Sequence, residues 1–181
     1  FQYYYLYFTT KRAVRVADKI IVPSKQTAED LQKYFKCPKE KIKIIYHGIN
    51  HSELKYNFSK EEKKAACDML RIPLNSKYFS FIGRLETKKN ILRIVKAFEM
   101  FVKKHPSYYL ILAGKPGIGF KEIKKYIDNS FVKKQIILPG YIDNKTKIYL
   151  MKYSKLNLLP SLSEGFGIPI LESFSIGTPM M

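Results

Sequence analysis

Cysteine is scarce. Cys37 and Cys67 are the only two in 181 residues, so no disulfide framework is available, and the expected surroundings are a reducing, cytoplasmic compartment. Long apolar runs are absent too: no uncharged stretch approaches the roughly 18 residues that a spanning helix needs. The aromatic start at Phe1 lacks the basic region of a secretory leader. Acidic residues are few, with Asp and Glu numbering 15 against 33 Lys and Arg, for a net charge of +18. Such an excess attracts anions, and nucleic acid, lipid headgroups and phosphorylated small molecules all qualify. Much of it, as in Lys121, Lys124, Lys125, Lys133 and Lys134, reads as solvated helix surface. Several chemical templates are missing. There is no Gly-x-x-x-x-Gly-Lys-Ser/Thr loop, and Gly114, Gly117 and Gly119 do not fit Gly-x-Gly-x-x-Gly, so no hydride-transferring nucleotide is indicated. Cys37, His47 and His51 have neither paired cysteine spacing nor a fourth ligand, which argues against a metal.

What is present is apolar enough for a packed core, at 46% hydrophobic residues. From about Ser76 onward, runs of strand length at 78–82, 108–113, 135–138 and 156–159 are apolar at successive positions, the pattern of strands buried on both faces. Helical periods fill the gaps: a stripe of Ile91, Ile94, Val95, Phe98, Phe101 and Val102, then shorter stretches at 120–129 and 145–153. The alternation predicts an α/β fold with a Rossmann-like parallel sheet flanked by helices. A smaller version precedes it, with strands at 19–22 and 41–46 around a helix that Ser24 or Thr27 caps and that runs to about Phe35. The aromatic residues 3–8 read as a helix packed on a neighbour or as an aromatic ligand surface. The expected organisation is 1–55 as the end of one α/β domain, 56–75 as an interdomain region, and 76–181 as most of a second domain. The start on Phe1 and the stop at Met181 predict a piece of a longer protein.

In an open parallel sheet the loops after the strands share one edge, so their polar residues converge. Arg84 and Lys89 lie between a strand end and a helix start, where backbone amides and the helix dipole also favour anions. A diphosphate suits them, although two exposed cations in a basic chain read equally well as surface. Glu164 and Glu172 flank Gly165-Phe166-Gly167-Ile168-Pro169-Ile170-Leu171, and Pro169 in a first turn predicts a helix start near Gly167 or Ile168. Two carboxylates there suit vicinal hydroxyls, and free amides near Gly167 suit phosphate. An ordinary helix-leading acid and a surface residue are the plainer alternative.

Six motifs stand in order: Val22-Pro23-Ser24 with Thr27 and Leu31; Ile45-Tyr46-His47-Gly48-Ile49-Asn50; Gly83-Arg84-Leu85 with Lys89; Leu112-Ala113-Gly114; Pro139-Gly140-Tyr141; and Pro160-Ser161 with 164–172 and Gly177-Thr178-Pro179. From about Asp18 to its end the chain thereby resembles the GT-B glycosyltransferases of family 4, the glycosyl transferases group 1. The resemblance implies retaining transfer of a sugar from a nucleotide diphosphate donor to a glycan or lipid-linked acceptor. By position, Arg84 and Lys89 match the basic pair on the donor diphosphate, Glu164 the glutamate against the donor sugar, and Glu172 the glutamate that holds the nucleotide ribose. Gly165, Phe166 and Gly167 match the loop whose backbone approaches sugar and phosphates, Tyr141 or Ile142 the base cradle, and Gly83 and Leu171 join them in the donor-binding set. Glu164, Arg84 and Lys89 are thus the catalytic candidates. No metal or other cofactor is expected, and no nucleic acid partner; peripheral contact at the inner face of a membrane is compatible with the charge. Asn90 and His47 depart from the family's usual Gly and Asn. A GT-B nucleotide-sugar epimerase and a noncatalytic polyanion binder are the alternatives.

Overall fold

The structure is a computed structural model that describes residues 2–181. It divides into two compact units, one made of 2–48 with 164–168, the other of 49–163 with 169–181; Phe1, from which the first domain is expected to run, lies outside the described residues.

In the first unit, α1 (Gln2–Val16) precedes β1 (Ile20–Val22), α2 (Lys25–Phe35) and β2 (Ile42–Ile44). The strands pair in parallel, Ile20 beside Ile42 and Val22 beside Ile44. Ser24 rather than Thr27 caps α2, accepting from the Thr27 amide at 3.1 Å. Residues 3–8 are helical within α1; Tyr4, Tyr5, Leu6 and Phe8 are exposed, whereas Tyr7 packs on Phe35 with ring centroids 5.5 Å apart.

The second unit opens with α3 (His51–Leu54) and α4 (Lys60–Leu70). Within the stretch expected to be an interdomain region, α4 is thus a folded helix. Ser59 and Glu62 cap it reciprocally, and Ala66, Cys67 and Leu70 are buried in the second unit's core. Then follow β3 (Lys77–Ile82), α5 (Ile91–Val102), β4 (Tyr108–Ala113), α6 (Phe120–Asn129), β5 (Ile136–Gly140), α7 (Asn144–Tyr153), β6 (Leu156–Asn157) and α8 (Ile168–Ser175). The strands form a parallel sheet in the order β5-β4-β3-β6. Side chains alternate across it: Phe81, Leu110, Leu112 and Ile136 pack under α5 and α6, while Tyr78, Ile111 and Ala113 pack with α4 and α7. Both faces are covered, which is why the strands read as unbroken apolar runs.

Several boundaries differ from expectation, among them β2, which covers Ile42–Ile44 where a strand over 41–46 is expected, and β5, which runs on to Gly140. Lys133–Gln135 forms a 3-10 turn, so β5 starts one residue later than expected. β6 is shorter than 156–159: Leu158 still donates to the Ser80 carbonyl at 2.7 Å, but Pro160 follows and has no amide to continue the ladder. The phenols inside the core are neutral, since burial pushes Tyr78 and Tyr149 up. Tyr78 donates to the Leu150 carbonyl at 3.2 Å.

The contact between α4 and α7 carries a pH signature. Lys145 Nζ lies 2.6 Å from Glu62 Oε1, Tyr56 donates to the same oxygen at 2.6 Å, and the Ser59 amide donates to the other at 2.8 Å. These bonds, Lys145 foremost, hold the Glu62 carboxyl down at about 2. A carboxyl held low in the folded state stabilises fully above its ordinary value of 4.5, and that contribution is lost as pH falls through about 2. Glu62→Gln is therefore expected to flatten the acid limb of stability between those values. Equal slopes for variant and wild type in acid denaturation would count against the assignment.

Candidate functional site

A polar cleft of about 440 Å³ opens at the carboxyl ends of β3, β4 and β5, where an open parallel sheet places its ligand loops. Gly83 and Arg84 follow β3, Gly114 and Lys115 follow β4, and Tyr141, Ile142 and Asp143 follow β5; Lys147 closes it from α7. An apolar cavity of about 470 Å³ beside α5 and β6 is lined by Phe79, Phe98, Phe101, Leu110 and Leu158, with Arg93 its one charged wall. Convergent charge belongs to the first of these, which makes it the candidate site.

Close backbone approach builds the cleft floor. A Cβ at Gly114 would fall 1.8 Å from the Gly83 carbonyl oxygen, and the Gly83 amide donates to Ala113 at 3.0 Å while that of Gly114 donates to Gly140 at 2.8 Å. Strand-like pairing continues into the loops: Leu85 donates to Lys115, and Gly117 back to Leu85, each at 2.9 Å. Gly117 lies under Arg84, so a Cβ there would meet Arg84 Cγ at 2.7 Å. Arg84 thus leaves a rigid double loop, its head exposed.

Lys89 ends the 3-10 turn Thr87–Lys89 just before α5. Asn90 then adopts φ 60°, ψ 31°, the left-handed region that glycine and, among other residues, asparagine favour. The departure from glycine there therefore keeps the backbone. The Asn90 side chain also donates to the Pro160 carbonyl at 3.1 Å, and Leu162 donates to Lys88 at 2.8 Å, tying the loops after β3 and β6 together.

On the other wall, Asp143 caps α7 by accepting from the Thr146 amide at 2.7 Å, and that bond holds its carboxyl below the usual range. Tyr141 is 73% exposed, with Lys115 Nζ 5.1 Å from its ring centroid. Lys147 pairs with Glu172 of α8 at 2.6 Å, both side chains largely shielded, at 25% and 15% exposure.

The structure therefore brings Gly83, Arg84, Tyr141 and Ile142 to one cleft and links Glu172 to it through Lys147. Leu171 is half-buried in α8, which begins at Ile168 as the Pro169 signal predicts. Glu164, Gly165, Phe166 and Gly167 group with the first unit. There Thr27 donates to the Gly165 carbonyl at 3.3 Å, Phe166 contacts the rings of Tyr46 and His47 at 6.0 and 5.2 Å, and Gly167 takes φ 86°. Lys115, in one of the strand-end loops expected to converge, and Lys147 are not among the site residues that the sequence suggests. The first stands in a Gly-Lys-Pro-Gly loop that is visible there; nothing marks the second among its neighbouring lysines. Among the described residues no His, Cys, Asp and Glu cluster is arranged to hold a metal ion, and no helix is long and apolar enough to cross a membrane.

The family described as glycosyl transferases group 1 matches residues 62–181, and that described as Glycosyltransferase Family 4 matches residues 1–53. An uncharacterized glycosyltransferase of Methanocaldococcus jannaschii is 29% identical over 167 residues, which is 90% of this chain and 41% of that relative. The O-antigen chain mannosyltransferase RfbU of Salmonella typhimurium is 26% identical over 178 residues, 98% of this chain and 45% of the relative. Among solved structures, Anabaena HepE in complex with UDP and glucose superposes with a TM-score of 0.78 at 22% identity, covering 97% of this chain and 47% of that one. The chain spans less than half the length of each. The structural likeness shows a shared fold, that of GT-B glycosyltransferases.

Proposed function

The chain belongs to the glycosyl transferases group 1 family, and on that premise we propose that it carries the donor half-site of a retaining glycosyltransferase using a nucleoside diphosphate sugar. The observation that carries this reading is the cleft itself. An arginine, two lysines and an exposed tyrosine converge there at the carboxyl edge of a parallel sheet. The Salmonella relative is named a mannosyltransferase and HepE was solved with UDP and glucose, which supports a hexose on a nucleoside diphosphate as donor. The O-antigen chain in the Salmonella relative's name favours a glycan as the acceptor class.

In the transfer, the bond from the anomeric carbon to the diphosphate oxygen breaks and a bond to an acceptor hydroxyl oxygen forms on the same face. The acceptor proton is released, and negative charge grows on the departing diphosphate. Arg84, able to grip phosphate oxygens in bidentate fashion, and Lys89 before α5 compensate that charge. This is the service a divalent ion gives in other phosphate chemistry, so the transfer is proposed to be independent of metal. Glu172 accepts from ribose hydroxyls, Tyr141 and Ile142 bound the base, and Glu164, by its family motif, attends the donor sugar.

Calorimetric titration of the full-length protein with UDP, GDP and ADP tests this. Arg84→Ala and Glu172→Ala are each expected to weaken the best ligand at least about tenfold, the scale of losing hydrogen bonds to a charged group. Unchanged affinity in both variants would sink the site assignment. Equally tight, steeply salt-dependent binding of duplex DNA would favour a general polyanion binder.

A further inference from the structure

We propose that Lys147 is a positioning residue that sets the cleft's preference for a ribose diol, by fixing the Glu172 carboxylate and cancelling its charge. The proposal rests on the reading of the cleft as a nucleoside diphosphate site and deepens it.

Glu172 is an awkward neighbour for an anionic ligand. A largely shielded carboxylate beside a diphosphate repels it, and a carboxylate removed from water needs a partner of its own. Lys147 meets both demands: its Nζ lies 2.6 Å from Glu172 Oε1, and it also lines the cleft with Gly83, Arg84 and Lys115. The pair is electrically neutral, yet it leaves Glu172 Oε2 and a second lone pair on Oε1 as acceptors. Two acceptors on a carboxylate that cannot rotate suit two adjacent hydroxyls.

Both ends of the pair are held. Asp143 caps α7 one turn before Lys147, and Asn144 donates to Glu53 of α3 at 3.2 Å. On the other side, Ser173, next to Glu172, is wholly buried; it accepts from Asn157 at 2.8 Å and donates to the Thr178 carbonyl at 2.8 Å. Ser175 further along α8 is hydrogen-bonded to His51 Nδ1 at 2.7 Å. α7 is therefore held to α3, and α8 to α3 and β6, without the ion pair. Its distinctive contribution is the orientation of one carboxylate, the support that a binding group takes from the residues behind it.

The test measures a ratio. The ribonucleoside diphosphate that binds best among UDP, GDP and ADP is titrated into the full-length protein alongside its 2′,3′-dideoxy counterpart. Wild type is expected to prefer the ribose form by about tenfold. Lys147→Met should cut that preference to about twofold or less, and Lys147→Arg should keep it; Lys147→Leu, which also removes the donor, serves in place of the methionine variant if that one does not fold. A preference that survives in the Met or Leu variant, with both ligands weakened equally, overturns the proposal, and so does a wild type that does not distinguish the two ligands. Arg84→Ala separates the two levels. If it weakens diphosphate binding while the Lys147 variants leave the ratio intact, only the positioning role falls; if neither it nor Glu172→Ala changes the affinity, the donor-site reading falls with it.

Discussion

Gly114→Ala is expected to destabilise the second unit by about 3 kcal/mol or more, the sum of overpacking and a strained backbone. Gly114 sits at φ 146°, a conformation costly to any residue with a Cβ. The new methyl would stand 1.8 Å from the Gly83 carbonyl oxygen and 2.7 Å from its carbon, so a flexible side-chain tip cannot simply swing away. The carboxyl ends of β3 and β4 must part, and the bonds from Gly83 to Ala113 and from Gly114 to Gly140 are the first affected. Gly140 provides the control. It lies at φ 79°, but a Cβ there meets nothing within 4 Å, so Gly140→Ala should cost only about 1 to 2 kcal/mol for the left-handed backbone. Denaturant unfolding of both variants reads the difference. A Gly114→Ala loss no larger than that of Gly140→Ala would mean that the strand ends are not locked. Because Gly83 leads directly into Arg84, the same variant should also weaken nucleoside diphosphate binding in buffer where it remains folded.

That lock was visible in the sequence as loops beginning with glycine after apolar runs, whereas its cause was not. The runs at 78–82 and 108–113 and the helix at 120–129 stand out because both faces of the central strands are buried and α6 is amphipathic. The helix α4 is harder to see. Its charged opening, Lys60-Glu61-Glu62-Lys63-Lys64, overshadows the buried side formed by Ala66, Cys67 and Leu70. The Ser59 to Glu62 capping box is the one local sign of it. At the site, strand-end position suffices to bring Gly83, Arg84, Tyr141 and Ile142 to one cleft. Lys147 is another matter, because its meaning comes from a carboxylate 25 residues away on a different helix. Asn90 shows the reverse case: an apparent departure in sequence that its φ of 60° makes conservative.

The anchoring of α8 sets the other large effect, with Asn157→Leu expected to cost about 3 kcal/mol. Asn157 is 3% exposed. Its amide donates to Ser173 Oγ at 2.8 Å and to the Met151 carbonyl at 3.3 Å, and its oxygen accepts from Ser80 Oγ. Ser80 and Ser173 are also buried. Leucine matches the volume but returns none of these bonds, and each group left unpaired in a dry interior costs about 1 to 3 kcal/mol. The backbone bonds of Asn157, to Pro179 at 2.9 Å and from Met181 at 3.0 Å, survive the change, so β6 should persist while its hold on α8 is lost. A double-mutant cycle with Ser173→Ala should therefore be strongly non-additive, by about 1 kcal/mol or more, because the two side chains serve one network. Binding supplies the second readout. With Lys147 and Glu172 both present but α8 loosened, the preference for a ribose over a dideoxyribose nucleotide should shrink, as is expected when Lys147 itself is replaced. An Asn157→Leu protein that keeps full stability would show the network to be dispensable. One that loses stability yet retains the full ribose preference would show that Glu172 is held by its ion pair and not by the placement of its helix.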